Sequence, residues 1–191
     1  ESGVFCPACR RRELLIEAMP GLLNIDGAVM GYKYCSALKE MLHKLKFEGE
    51  SKFLQPLAEE AAFLAQAYGE SGFDMVISVP TDAARRKQRG FDIPENIFAQ
   101  ALAVKGAWQP QVLARIKATA PQYGLAPDKR RSNVRGCFKV YGDVQNAKIL
   151  LVDDILTTGA TLDEAAKTLK QAGAKSVYAL TLCGSLENFK E

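Results

Sequence analysis

Ile149-Leu150-Leu151-Val152-Asp153-Asp154-Ile155-Leu156-Thr157-Thr158-Gly159-Ala160-Thr161 is the stretch that decides the fold. Four apolar residues, preceded by Lys148, read as a strand buried on both faces. Two carboxylates follow, then a Thr-Thr-Gly-Ala-Thr turn. Leu162, Ala165, Ala166 and Leu169 then recur at helical spacing, and Gly173 stops the run. Strand, turn and helix in this order build one arm of an open α/β sheet. Ligands of such sheets bind beyond the carboxyl ends of the strands, where the polar part of this stretch falls.

The turn has the parts of a phosphate cradle. The first amides of a helix lack partners within it, and the helix dipole favours an anion there. Thr157, Thr158 and Thr161 add hydroxyls, and Gly159 leaves room for close approach. Asp153 and Asp154 would repel that phosphate, so they must face another group. Ionised carboxylates accept hydrogen bonds, and a ribose diol supplies donors one sugar away from a 5-phosphate. The plainer alternative is a solvated acidic pair beside a helix cap. A nucleotide P-loop would require a lysine after the glycine, and a dinucleotide fold would require G-x-G-x-x-G; neither is present. In a phosphorelay receiver the acidic pair opens the domain, whereas here only about forty residues remain after it.

Composition sets the outer bounds. The chain has 191 residues, 48% hydrophobic and 25% charged, as expected of one globular domain rather than a disordered or coiled-coil chain. No apolar run nears the roughly 18–20 residues of a membrane span. The net charge of +3 is too small to demonstrate a nucleic-acid partner. Cys6, Cys9, Cys35, Cys137 and Cys183 are odd in number and irregularly spaced, unlike a secreted disulfide framework. With no visible signal peptide, the expected compartment is cytoplasmic. The chain begins at Glu1 rather than Met, so its first residues carry little weight in that reading.

Outward from the core motif, Ser176–Leu182 reads as the strand after the helix and Asp74–Val79 as an earlier buried strand. Leu38, Met41, Leu42 and Leu45 share a helical face that ends at Gly49, and a second helix is expected from about Phe53 to Tyr68. Asp92 with Glu95, and Pro94 in the first turn, marks another helix start. Residues 116–135 show no periodicity and read as a long functional loop. The first thirty residues differ, with Cys6-Pro-Ala-Cys9, three arginines and a Pro20-Gly21 break. They suggest a boundary between an N-terminal extension, 1–31, and the main domain, 32–191.

The thirteen-residue string resembles the phosphoribosyl pyrophosphate signature of type I phosphoribosyltransferases. Tyr32-x-Tyr34, Leu38, Leu42, Leu45-Lys46-Phe47, Val79-Pro80, Arg85 through Arg89-Gly90-Phe91, Arg115, Thr119, Gln122, Leu125, Arg130, Asn133 and Phe138 follow in an order similar to that of the ComF/GntX family of competence proteins. The resemblance implies a type I phosphoribosyltransferase-like fold: an α/β, mainly parallel sheet flanked by helices.

It also implies a site. Asp153 and Asp154 would hold the ribose diol in a catalytic role, and Thr157, Thr158, Gly159, Ala160 and Thr161 the 5-phosphate. The loop with Pro80, Thr81, Arg85 and Arg89 would hold pyrophosphate through amides and cations. Family members usually read Arg-Gly-Phe-Asn-Gln here; this chain has Asp92 and Ile93 after Phe91, which a helix cap explains. Gln122, Arg130 and Asn133 would belong to a mobile hood that excludes water. Mg²⁺ would bridge pyrophosphate and ribose hydroxyls. Cys6 and Cys9 form half a zinc site, the remnant of a zinc knuckle; Zn²⁺ would need further N-terminal cysteines. The ligand would be phosphoribosyl pyrophosphate, with an unknown acceptor and no membrane. The alternative is a non-catalytic protein that binds single-stranded DNA or a phosphoribosyl ligand, working with a DNA-uptake helicase.

Overall fold

The computed structural model describes residues 14–19, 23–34, 36–68, 72–102, 107–119 and 126–185. In chain order the elements are β1 (Leu14–Met19), β2 (Gly27–Lys33), α1 (Ser36–His43), a π-helical turn (Lys44–Glu48), α2 (Leu54–Tyr68) and β3 (Met75–Ser78). They continue with α3 (Ala83–Arg89), α4 (Ile93–Leu102), β4 (Leu113–Arg115), α5 (Pro127–Val134), β5 (Phe138–Val140), β6 (Lys148–Leu156), α6 (Ala160–Gln171) and β7 (Ser176–Gly184).

Five strands form one sheet in the order β1-β2-β7-β6-β3. Pairing is parallel except between β1 and β2. The centre, β6, is buried on both faces, which its unbroken apolar run requires. Ile149 and Leu151 enter one core with Leu162, Ala165, Ala166 and Leu169 of α6. Leu150 and Val152 enter a second core with Leu42 of α1, Leu57 and Leu64 of α2, and Ile97 and Phe98 of α4. Strand alternation thus sorts the side chains of β6 into two helical layers. Strands β4 and β5 form a separate antiparallel ribbon. The free edge of β3 is met by a short parallel bridge: Val76 N–H donates to Ala107 O at 2.7 Å, and Gln109 N–H to Val76 O at 2.9 Å.

Three sequence readings change. β6 does not stop at Val152; its register with β7 runs on to Leu156 opposite Gly184, so both aspartates lie on the strand itself. The backbone ladder ignores the change from apolar to acidic side chains. Residues 116–135 are not all loop, since α5 occupies Pro127–Val134. Pro127 stands at its first position, where a missing N–H costs nothing. The boundary drawn at residue 31 falls inside β2, which pairs with β7 from Gly27 to Lys33. Gly31 fits there because a Cβ would lie 2.1 Å from Leu64 Cδ1 and 2.9 Å from Leu182 O.

Candidate functional site

At the carboxyl end of β6, and beside that of β3, lies a cavity of about 560 Å³. Its floor is Asp153 through Leu162, so every residue of the expected diol and phosphate sites lines it. Gly159 caps α6 with φ +72°, a left-handed conformation that glycine adopts without a Cβ clash. Its carbonyl accepts from Asp163 N–H at 2.8 Å, the first bond of the helix. Thr158 is buried, and its hydroxyl accepts from Ala160 N–H at 3.5 Å.

The two aspartates play different parts. Asp153 continues the phase of Ile149 and Leu151, toward the α6 layer, and Asp154 that of Leu150 and Val152. Asp153 Oδ1 accepts from the backbone N–H of Asp154 at 2.8 Å. Burial first, then the Asp154 charge, pushes the Asp153 carboxyl well above the ordinary aspartate value, with Lys46 opposing. Asp154 Oδ2 lies 2.7 Å from Lys46 Nζ, with the two side chains 8% and 27% exposed. Burial works against the Lys46 ammonium, yet the Asp154 and Asp153 charges lift it above its ordinary value.

The loop after β3 supplies Pro80, Thr81, Arg85 and Arg89 to the opposite wall. Its amides are already engaged. Pro80 has none, Thr81 N–H donates to Asp92 Oδ2 at 2.8 Å, and Asp82 Oδ1 accepts from Ala84 and Arg85 N–H at 3.1 and 3.3 Å. This loop therefore offers an anion its cations rather than these amides, a change from the sequence reading. Burial raises the Asp92 carboxyl above its ordinary value despite its bonds to Thr81 and Glu95 N–H. Arg89 Nε–H donates to Lys46 O at 2.9 Å. Burial draws its guanidinium below the ordinary value, against the Asp154 charge.

The remaining wall is only partly as expected. Arg130 lines the cavity and donates to Thr157 Oγ1 at 3.1 Å. Asn133 is described but does not line it. Gln122, Cys6 and Cys9 lie outside the described residues. Sequence reasoning gave no role to Lys39, Lys46 or Arg115, which also line the cavity. Arg115 donates to the Thr119 hydroxyl, and Arg85 to the Thr119 carbonyl at 3.0 Å. Nothing local marks these cations, because they meet only through tertiary packing.

The phosphoribosyl transferase domain model matches residues 105–190. The chain is 33% identical over 159 residues to the DNA utilization protein YhgH of Salmonella typhimurium, covering 80% of this chain and 70% of that protein. The chain belongs to the ComF/GntX family. Its mainly parallel sheet flanked by helices is the type I phosphoribosyltransferase fold. The chain is also 33% identical over 138 residues to the ribose-phosphate pyrophosphokinase of Vibrio vulnificus, covering 62% of this chain and 44% of that protein. A solved structure of the allosteric regulatory enzyme of purine biosynthesis aligns with a TM-score of 0.45 at 19% identity, over 68% of this chain and 26% of that one.

Proposed function

We propose that this ComF/GntX member binds phosphoribosyl pyrophosphate with Mg²⁺ in the cavity above β6 and transfers the phosphoribosyl group to an acceptor. One observation carries the reading: the Thr157–Thr161 turn, the aspartate pair and the cations of the β3–α3 loop border one cavity. The α6 N-terminus and the threonine hydroxyls hold the 5-phosphate. Asp154 accepts the ribose hydroxyls. Arg85 and Arg89 face the pyrophosphate and stabilise the charge that develops as its bond to the sugar anomeric carbon breaks. The acceptor nucleophile forms the new bond at that carbon, and positioning provides much of the acceleration.

Among the described residues no three His, Cys, Asp or Glu side chains converge on one point. The donor set suits a magnesium ion held mainly by phosphate and hydroxyl oxygens and water. Such an ion supplies charge neutralisation to the leaving group.

Calorimetric titration of phosphoribosyl pyrophosphate with Mg²⁺ tests the reading. Micromolar binding by the wild type, lost in the Asp154→Ala, Thr158→Ala double variant, is expected. A wild type that does not bind overturns it.

A second reading is a path for single-stranded DNA in the cytoplasm, beside a DNA-uptake helicase. It is favoured by the cations of α3 and α5: Arg85, Arg89 and Arg130 face the cavity, while Arg86, Lys87, Lys129 and Arg131 are exposed on the same helices. Phosphate contacts of this kind give affinity that falls steeply with salt. A single-stranded oligonucleotide whose binding does not weaken between low and high salt would overturn this second reading.

A further inference from the structure

We infer that Lys46 is a positioning residue of the phosphoribosyl site, holding the Asp154 carboxylate turned into the cavity and ionised for the ribose hydroxyls. The inference rests on the phosphoribosyl reading above. Lys46 lies in a π-helical turn, an irregularity often found at functional sites. Its two ends are fixed from different directions. Its carbonyl accepts from Arg89 of α3, and its ammonium meets Asp154 of β6 at 2.7 Å. The lysine therefore ties the pyrophosphate wall to the diol floor.

A neighbouring ion pair provides the contrast. Lys44 and Glu40 meet at 2.8 Å, but the Glu40 side chain is 67% exposed against 8% for Asp154. The first pair sits in water, where such contacts contribute little. The second encloses a carboxylate that faces a ligand-sized cavity. A carboxylate has about four acceptor sites, so one ammonium on Oδ2 leaves room for a diol. Removing that ammonium leaves two adjacent aspartates with less opposing charge. The other charged or titratable groups around them are Arg85 and Arg89 of α3, Asp92 before α4, Arg130 of α5 and Cys183 of β7. Without Lys46 the pair takes up a proton at higher pH, and a protonated carboxyl loses acceptor capacity.

The first test uses ligand-free protein. The carboxyl carbon resonances of Asp153 and Asp154 are followed by NMR through a pH titration. In Lys46→Met the pair's proton uptake moves up by about one pH unit. Lys46→Arg restores the wild-type midpoint, and Lys44→Met does not move it. A Lys46→Met midpoint equal to wild type overturns the inference, as does a Lys46→Arg midpoint displaced as far as that of Lys46→Met. Should Lys46→Met fail to fold, the Lys46 ammonium nitrogen resonance of the wild type decides. It tracks the aspartate titration if the inference holds, and ignores it if not.

The second test titrates phosphoribosyl pyrophosphate with Mg²⁺ at several pH values. Lys46→Met binds roughly tenfold more weakly than wild type, and the gap widens toward acid pH. Wild type that fails to bind overturns the phosphoribosyl reading itself. Wild type and Lys46→Met that bind alike at every pH overturn the role of Lys46 alone.

Discussion

Replacing Gly159 by alanine tests the phosphate cradle through its backbone. Gly159 is buried, caps α6 and holds φ +72°. An L-residue in that conformation costs roughly 1–2 kcal/mol. Gly159→Ala is therefore expected to lose about 1–2 kcal/mol of stability in urea denaturation. If the backbone instead relaxes, the bond from Asp163 N–H to Gly159 O at 2.8 Å shifts, and the threonine hydroxyls move with it. Either route weakens phosphoribosyl pyrophosphate binding, by about tenfold or more, since 1.4 kcal/mol is one decade. Gly159→Asn separates the two effects. Asparagine tolerates the left-handed region, so most of the stability returns. Its side chain still stands where the phosphate must approach, so the affinity does not return. An asparagine variant that binds like wild type in calorimetry would refute the cradle. An alanine variant as stable as wild type would refute the strain.

Other substitutions probe separate parts. Arg130→Ala removes the donor to Thr157 Oγ1 and is expected to weaken ligand binding roughly tenfold while changing stability by less than about 1 kcal/mol; unchanged affinity counts against Arg130. Gly31→Ala puts a methyl against Leu64 and the Leu182 carbonyl, costing about 1–3 kcal/mol in thermal or urea melts. Asp92 has a raised carboxyl, so the folded state binds more protons than the unfolded one. Wild-type stability relative to Asp92→Asn therefore falls as pH rises from the ordinary aspartate value to the raised one, and levels off above it. Urea melts at a series of pH values showing the opposite slope would reject that assignment.

The arm from β6 through α6 was legible because two signals agree there. Four consecutive apolar residues demand burial on both faces, and Leu162, Ala165, Ala166 and Leu169 repeat at helical spacing. Helix α5 had no such signal: Val134 is its one buried residue among those whose side chains are described, and a polar segment shows no period. Strand β2 was hidden by Gly27 and Gly31, which read as breakers, although Leu64 requires a bare backbone at Gly31. Asp92 was readable as a helix cap. That its other oxygen takes the Thr81 amide was not, because eleven residues separate the two. Lys46 looked like the polar flank of an apolar helix face, and only folding brings it to Asp154.

The bridge from Ala107 and Gln109 to Val76 bears on how this protein behaves in a crowded solution. β3 ends the sheet, and a bare outer edge is a template for recruiting strands from other chains. The bridge occupies both hydrogen-bonding groups of Val76 in the middle of that edge. Because β3 spans only Met75–Ser78, one blocked residue leaves too little free ladder for an incoming strand to zip onto. An insertion beside Trp108 would accordingly show itself first as self-association, with the ligand cavity at the strand ends still assembled.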